Sequence, residues 1–194
     1  GEMARTRRDI DHDFVSDLVD APSLHDIGKV GIPDAVLLKP GRLTPTERRA
    51  MELHTELGSQ CLAAIQKQLG EDDFLEIAQQ IAVAHHEHWD GSGYPRGLQG
   101  KAIPLPARIV ALADVYDALT TRRPYKGPMS HAEAREFIVS RYETQFDPET
   151  VEAFIAREAD FARISQANAA QNYEAVEITT SATKPDVQRL TVEV

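Results

Sequence analysis

Where helices must start is the strongest constraint on how this chain folds. Thr44-Pro45-Thr46-Glu47 reads as a capping box with proline at the first helical position. Leu53, Leu57, Cys61 and Ile65 then recur every fourth residue, and Gly70 is a natural stop. A second helix is expected from about Asp72 to His88, with Phe74, Ile77, Ala78, Ile81 and His85 on one face. A third is expected from about Pro106 to Thr120, with Ile109, Leu112, Tyr116 and Leu119 as its core stripe. Ser130 and Glu133 form another capping box ahead of Phe137 and Ile138, and Asp147-Pro148 opens a helix carrying Val151, Phe154 and Ile155. An earlier helix carries Phe14, Val15, Leu18 and Val19. Gly- and Pro-rich loops are expected at 28–45, 91–106 and 122–130. The expected fold class is all-α.

The character changes after Glu158. Residues 159–184 are polar and Ala-rich, and YEAVEITT and VQRLTVEV alternate as short strands do. The expected division is an N-terminal fragment or linker at 1–12, a helical domain at 13–158 and a C-terminal extension at 159–194, whose tail is the place for any short strands.

At 194 residues the chain can bury a core without disulfides, and Cys61, its one cysteine, can form none internally. That favours a reducing compartment, so a cytoplasmic location is expected. No apolar run reaches the ~20 residues of a membrane span, and no signal-peptide pattern is present. Gly1-Glu2 ahead of Met3 reads as a fragment or a tag scar. The net charge of −10 argues against DNA, which needs a basic footprint, but leaves room for a small anion met by local cations.

The histidines gather in a few stretches. His25-Asp26 sits between Leu24 and Ile27, and a partly buried aspartate there needs a partner or a cation; alone, the pair reads as a staple between helices. His54 leans inward from its helix, where a lone histidine is more often a hydrogen-bonded core residue. His85 and His86 end the next helix, where adjacent residues point ~100° apart, so they are expected to face two ions, or one ion and one phosphate. His88 is given a surface position or one backing a ligand. Asp114 and Asp117 share a helix face beside an apolar stripe, where two acids need something positive between them. Taken together, imidazoles and carboxylates on the inner edges of several helices suit borderline divalent ions, and a two-metal centre suits phosphoester hydrolysis. Asp26 is the carboxylate expected to bridge the ions.

The stretches LHDIGKVGIPDAVLLKPGRLT (24–44), MELHTELG (51–58), HHEHWDGSGYPRGL (85–98) and IPLPARIVALADVYDALTTRRPYK (103–126), with FDPE at 146–149, resemble the HD-GYP family, a branch of the HD-domain metal phosphohydrolases. The likeness covers roughly 14–158, and Gly93-Tyr94-Pro95 is the signature loop. The resemblance implies an HD-domain helical bundle that hydrolyses cyclic di-GMP to the linear dinucleotide, GMP or both. It implies His25, Asp26, His54, His85, His86 and Asp114 as metal ligands. It gives Lys29 a contact to the scissile phosphate and leaving oxygen, and Arg123 and Lys126 contacts to substrate phosphate, with Asp117 facing substrate or backing a ligand. Asp26 and Lys29 are the expected catalytic pair.

The family usually adds a Glu and a His four residues apart upstream of the HD pair. Here the residue four after Glu2 is Thr6 and the residue four before His12 is Arg8, so two ions rather than three are expected, with His12 solvent-exposed. Fe or Mn are expected first, Ni or Zn as alternatives. A second reading is a module that binds cyclic di-GMP or a GGDEF-domain partner without turnover. A homodimer and an attached regulatory domain are further expectations of the resemblance.

Overall fold

The structure is a computed structural model that describes residue 10 and residues 12–121 and 127–168. It is helical. We label α1 His12–Asp20, α2 Asp34–Leu37, α3 Pro45–Glu52, α4 His54–Leu69, α5 Asp73–Ala84, α6 Leu105–Thr120, α7 His131–Val139, α8 Pro148–Ala156 and α9 the helical residues 158–168. Short 3₁₀ turns at Ala21–Leu24 and Ile27–Gly31 join α1 to α2. Among the described residues, β-pairing is confined to two isolated bridges, Asp90 with Gln99 and Tyr142 with Phe146.

The expected start signals operate. Thr44 and Ser130 each accept a hydrogen bond from the backbone N–H three residues on, and Glu47 and Glu133 return the bond. Asp72 caps α5 and Asp147 caps α8. The two larger of three apolar clusters among the described residues follow. One packs Leu62, Ala78, Ile81 and Val110, with Phe14 and Leu18 of α1 against it. The other packs Leu112, Tyr116, Ile138, Val151 and Phe154. Helix α6 supplies residues to both and is the joint of the fold. Burial of side chains such as Leu62 and Ile81, at 1 % and 0 % exposure, contributes about 1.5–3 kcal/mol each.

The helix expected after the first capping box is two helices. It breaks at Leu53, and its buried face is one residue on from the predicted stripe: Leu53, Cys61 and Ile65 are exposed, while His54, Thr55, Gly58 and Leu62 are buried. The apolar count misled because the tightest contact uses no side chain. A Cβ on Gly28 would lie 1.9 Å from the His54 carbonyl oxygen and 2.4 Å from the Gly58 nitrogen, so the 3₁₀ turn at Ile27–Gly31 lies directly on the α4 backbone. Helix α5 ends at Ala84, short of the expected His88. On α6, Ala107 and Val110 are buried where Ile109 was expected to be, and Ile109 and Leu119 are partly buried. Helix α9 continues past the expected boundary at 158: the Phe161 ring packs on Tyr116 and Phe154, with centroids 5.2 and 4.8 Å apart. The two candidate strands lie outside the described residues.

Candidate metal centre

The break at Leu53 builds the first half of the site. It frees carbonyls that a continuous helix would have used. His54 Nδ1 takes the Met51 carbonyl at 2.7 Å, and the Thr55 hydroxyl donates to Glu52 O at 2.9 Å. The imidazole is thereby turned so that Nε2 faces inward. His25 follows the same rule, with Nδ1 2.7 Å from Pro22 O. So does His85, with Nδ1 3.0 Å from Ile81 O and 3.2 Å from Ala82 O. Three imidazoles from three segments thus spend Nδ1–H on backbone carbonyls, which turns Nε2 inward; at His54 and His85 that nitrogen is left as an acceptor.

These nitrogens surround Asp26. Its Oδ2 lies 3.1 Å from His25 Nε2 and its Oδ1 3.4 Å from His54 Nε2. Lys29 Nζ donates to Oδ2 at 2.5 Å. Asp114, on α6, brings Oδ1 to 3.8 Å from His25 Nε2. The ring centroids of His25 and His85 are 5.1 Å apart, of His54 and His86 5.2 Å, and of His85 and His86 4.0 Å. Two donor groups result, His54–His85–His86 and His25–Asp26–His85, each with ligand atoms within 4.8 Å of one another. His85 and His86 therefore can face one ion together, against the expectation from helical spacing. The cause is the end of α5 at Ala84, which places both residues in a turn rather than on a regular helix.

The electrostatics match the geometry. Burial pushes His85 down to about 4, aided by the charge on His25, and pushes His86 down to about 3, aided by His85. Both are neutral near pH 7, the form that ligates a metal. Burial alone would raise Asp26, but hydrogen bonds from His25 and Lys29 outweigh it and hold the carboxyl well below its usual range. The bond to Asp26 in turn raises His25. Asp26 Oδ1, His54 Nε2 and His85 Nε2 are buried with no hydrogen-bond partner. Leaving such atoms without partners costs about 1–3 kcal/mol each, and divalent cations in the two donor groups would satisfy them.

The remaining candidates sit further out. Asp117 is exposed and accepts a bond from the Thr121 hydroxyl at 3.1 Å at the end of α6. His88 lies in the loop with Nδ1 3.0 Å from Ser92 Oγ. The His12 side chain is 97 % exposed, as expected. Arg123 and Lys126 lie outside the described residues.

One residue at the centre escaped the reading of the sequence. Glu87, 2 % exposed, is flanked by histidines and invites a ligand role. Instead its two carboxylate oxygens accept the backbone N–H groups of Arg96 at 2.7 Å and Leu98 at 3.0 Å. It pins the signature loop. Gly93 lets that loop cross the chain below: a Cβ there would lie 2.3 Å from His88 N and 2.5 Å from Glu87 Cα. Tyr94 N then donates to His86 O, and the Tyr94 ring stacks on His86 at 4.8 Å. The available signal was the loop itself, rich in glycine and short of acceptors for its own N–H groups, beside a carboxylate.

A family profile described as HD domain matches residues 2–150. The match implies dependence on divalent metal, and the two donor groups provide places for such ions. A cyclic di-GMP phosphodiesterase of Vibrio cholerae is 52% identical over 152 residues, covering 78% of this chain and 31% of that protein. The cyclic di-GMP phosphodiesterase response regulator RpfG of Xanthomonas campestris is 45% identical, covering 74% of this chain and 37% of that one. A 3′3′-cGAMP-specific phosphodiesterase of Vibrio cholerae is 42% identical, covering 74% and 27%. The chain thus spans about a third of the length of the curated relatives it matches. With the HD pair at His25-Asp26 and the loop Gly93-Tyr94-Pro95 beside it, the chain belongs to the HD-domain family, in its HD-GYP branch.

Proposed function

We propose that this chain hydrolyses the 3′–5′ phosphodiester bonds of cyclic di-GMP, releasing the linear dinucleotide, GMP or both. The observation that carries the proposal is the pair of overlapping donor groups, His25–Asp26–His85 and His54–His85–His86, with three buried polar atoms open toward their shared centre. Relatives 45–53% identical that are named as cyclic di-GMP phosphodiesterases support it.

His25, Asp26, His54, His85, His86 and Asp114 are the proposed ligands of two divalent ions, Fe or Mn first and Ni or Zn as alternatives, with Asp26 shared between them. Bound there, such ions supply Lewis-acid polarisation of the phosphoryl group and an acidified water. The chain's own groups do the rest. The backbone carbonyls of Pro22, Met51 and Ile81 hold the imidazoles in orientation. Lys29, 41% exposed and already beside Asp26, is placed to move its ammonium onto a phosphate or leaving oxygen. Asp117, Arg123 and Lys126 are the proposed further substrate contacts. Tyr94 closes one face of His86 and keeps bulk water from it. Among the described residues, no helix is long and apolar enough to cross a membrane.

The test is turnover of cyclic di-GMP by metal-loaded protein, followed by chromatography of the products. His25→Ala and Asp26→Ala should each reduce hydrolysis to background with helix content preserved; undiminished hydrolysis in both excludes this site. Because relatives specific for 3′3′-cGAMP also match, that nucleotide belongs in the same assay. Preferential cleavage of it would reassign the substrate and keep the reaction class.

A further inference from the structure

We propose that Glu87 is a positioning residue of the metal centre. Its carboxylate holds the loop that lays Tyr94 on His86, and it thereby sets the affinity for the ion held by His54 and His86 while sparing the one held by His25 and Asp26. The inference rests on the reading of these groups as metal sites.

Glu87 stands next to a proposed ligand, yet it belongs to neither donor group, and both its oxygens are engaged by backbone donors. A buried carboxylate is costly unless it is hydrogen-bonded. Here each oxygen receives one backbone N–H, from Arg96 at 2.7 Å and Leu98 at 3.0 Å, and such charge-assisted bonds are strong. The two donors lie just beyond Tyr94-Pro95, so the carboxylate anchors the far side of the loop. The near side is anchored by Gly91 N to His88 O at 2.8 Å and by Tyr94 N to His86 O at 3.2 Å. Between the anchors, Gly93 passes so close to residues 86–88 that no side chain fits. The loop therefore has one seat, and that seat sets the Tyr94 ring on His86 with 27° between the planes. His86 is confined between this ring and His85. His25 and Asp26 enter from the segment between α1 and α2 and belong to the donor group that lacks His86.

The test uses Mn²⁺ alone. Glu87→Gln keeps the side chain's size but turns an N–H₂ toward a backbone N–H, releasing one anchor. Calorimetric titration of chelator-treated protein should show one binding event weakened by about 10–100-fold, the range for residues that orient ligands, with the other unchanged. At a free Mn²⁺ concentration that saturates the parent chain, the variant should retain one ion fewer. The chain's one tryptophan, Trp89, lies in this loop, so its emission should shift in the metal-free variant. Tyr94→Leu leaves the Glu87 bonds in place and removes the ring; it should weaken the same event, and it keeps the test available if Glu87→Gln fails to fold. Tyr94→Phe, which keeps the ring, should retain the affinity. Equal weakening of both events, or no change in either, overturns the proposal. A parent chain that takes up no Mn²⁺ overturns the metal reading and this inference with it, and that result is visible before any substitution is made.

Discussion

The pocket around Asp26 and the cluster packed by α7, α8 and α9 treat buried polar groups in opposite ways. In the cluster they are paired. Asp147, 3 % exposed, receives Arg108 Nη1 at 2.5 Å, Glu149 N at 3.0 Å and the Thr150 hydroxyl at 3.3 Å. The Tyr116 hydroxyl meets His131 Nδ1 at 2.9 Å. In the pocket, Asp26 Oδ1, His54 Nε2 and His85 Nε2 are left open. One chain follows both rules, so the open atoms are not a general looseness of packing. The paired groups hold the protein together, and the open ones are the atoms that the proposed metal site would use.

The largest test of that contrast exchanges the two kinds of damage. His85→Leu should weaken metal uptake and abolish turnover, since His85 supplies the one nitrogen common to the two donor groups. Yet the metal-free protein should lose nothing in stability and gain up to about 1 kcal/mol, because an unsatisfied buried nitrogen is replaced by apolar volume. The backbone carbonyl of Ile81 keeps a partner in the His85 N–H at 3.0 Å. Asp147→Ala should do the reverse. It strands a buried guanidinium and removes the α8 cap, so the unfolding free energy should fall by about 3–5 kcal/mol while Mn²⁺ binding per folded chain persists. Urea unfolding of chelated protein, read beside a metal count, decides both. If His85→Leu were the more destabilising, the pocket would be core like any other.

How far this contrast could be read from the sequence depends on which atoms carry it. The histidines and Asp26 were legible because side-chain chemistry and spacing name them. The start signals at Thr44, Ser130 and Asp147 were legible because capping is local. The inner face of α4 was not, since its closest contact is Gly28 on the backbone of His54 and Gly58, and an apolar count is blind to glycine. The pairing of His85 with His86 depended on a helix end, where the 100° rule stops applying. Glu87 as a loop anchor was not legible, because its partners are main-chain N–H groups 9 and 11 residues away. The pair Arg108–Asp147 spans 39 residues and left no local trace.

A smaller effect comes from pH, again on the metal-free protein. His85 and His86 are held near 4 and 3, below the ~6.5 of an unfolded histidine. The unfolded chain therefore binds more protons between those values. The stability tied to neutral imidazoles is complete above pH ~6.5 and is lost as pH falls toward 4. His25, which is raised, works in the opposite sense, adding stability below pH ~6.5 and losing it as pH climbs through its folded value. Two lowered groups against one raised one give a net loss on acidification, on the order of a few kcal/mol. Melting temperature should fall from pH 7 to pH 4.5, and His85→Leu should flatten the slope. An unchanged slope in that variant would place the titrating group elsewhere.

The smallest expected effect probes the paired side. Tyr116→Phe deletes the hydroxyl that meets His131 and leaves the ring in its packing with Phe154 and Phe161. His131 is partly exposed, so water can take over at Nδ1 and the loss should stay near 1 kcal/mol, the net value of a neutral hydrogen bond. The urea midpoint should drop with the slope of unfolding unchanged, and turnover should be untouched, because neither residue faces the donor groups. A drop of 3 kcal/mol or more would mean that this histidine, too, is held without access to water. The difference between its side of the molecule and the pocket would then lie in what the partner is rather than in whether one exists.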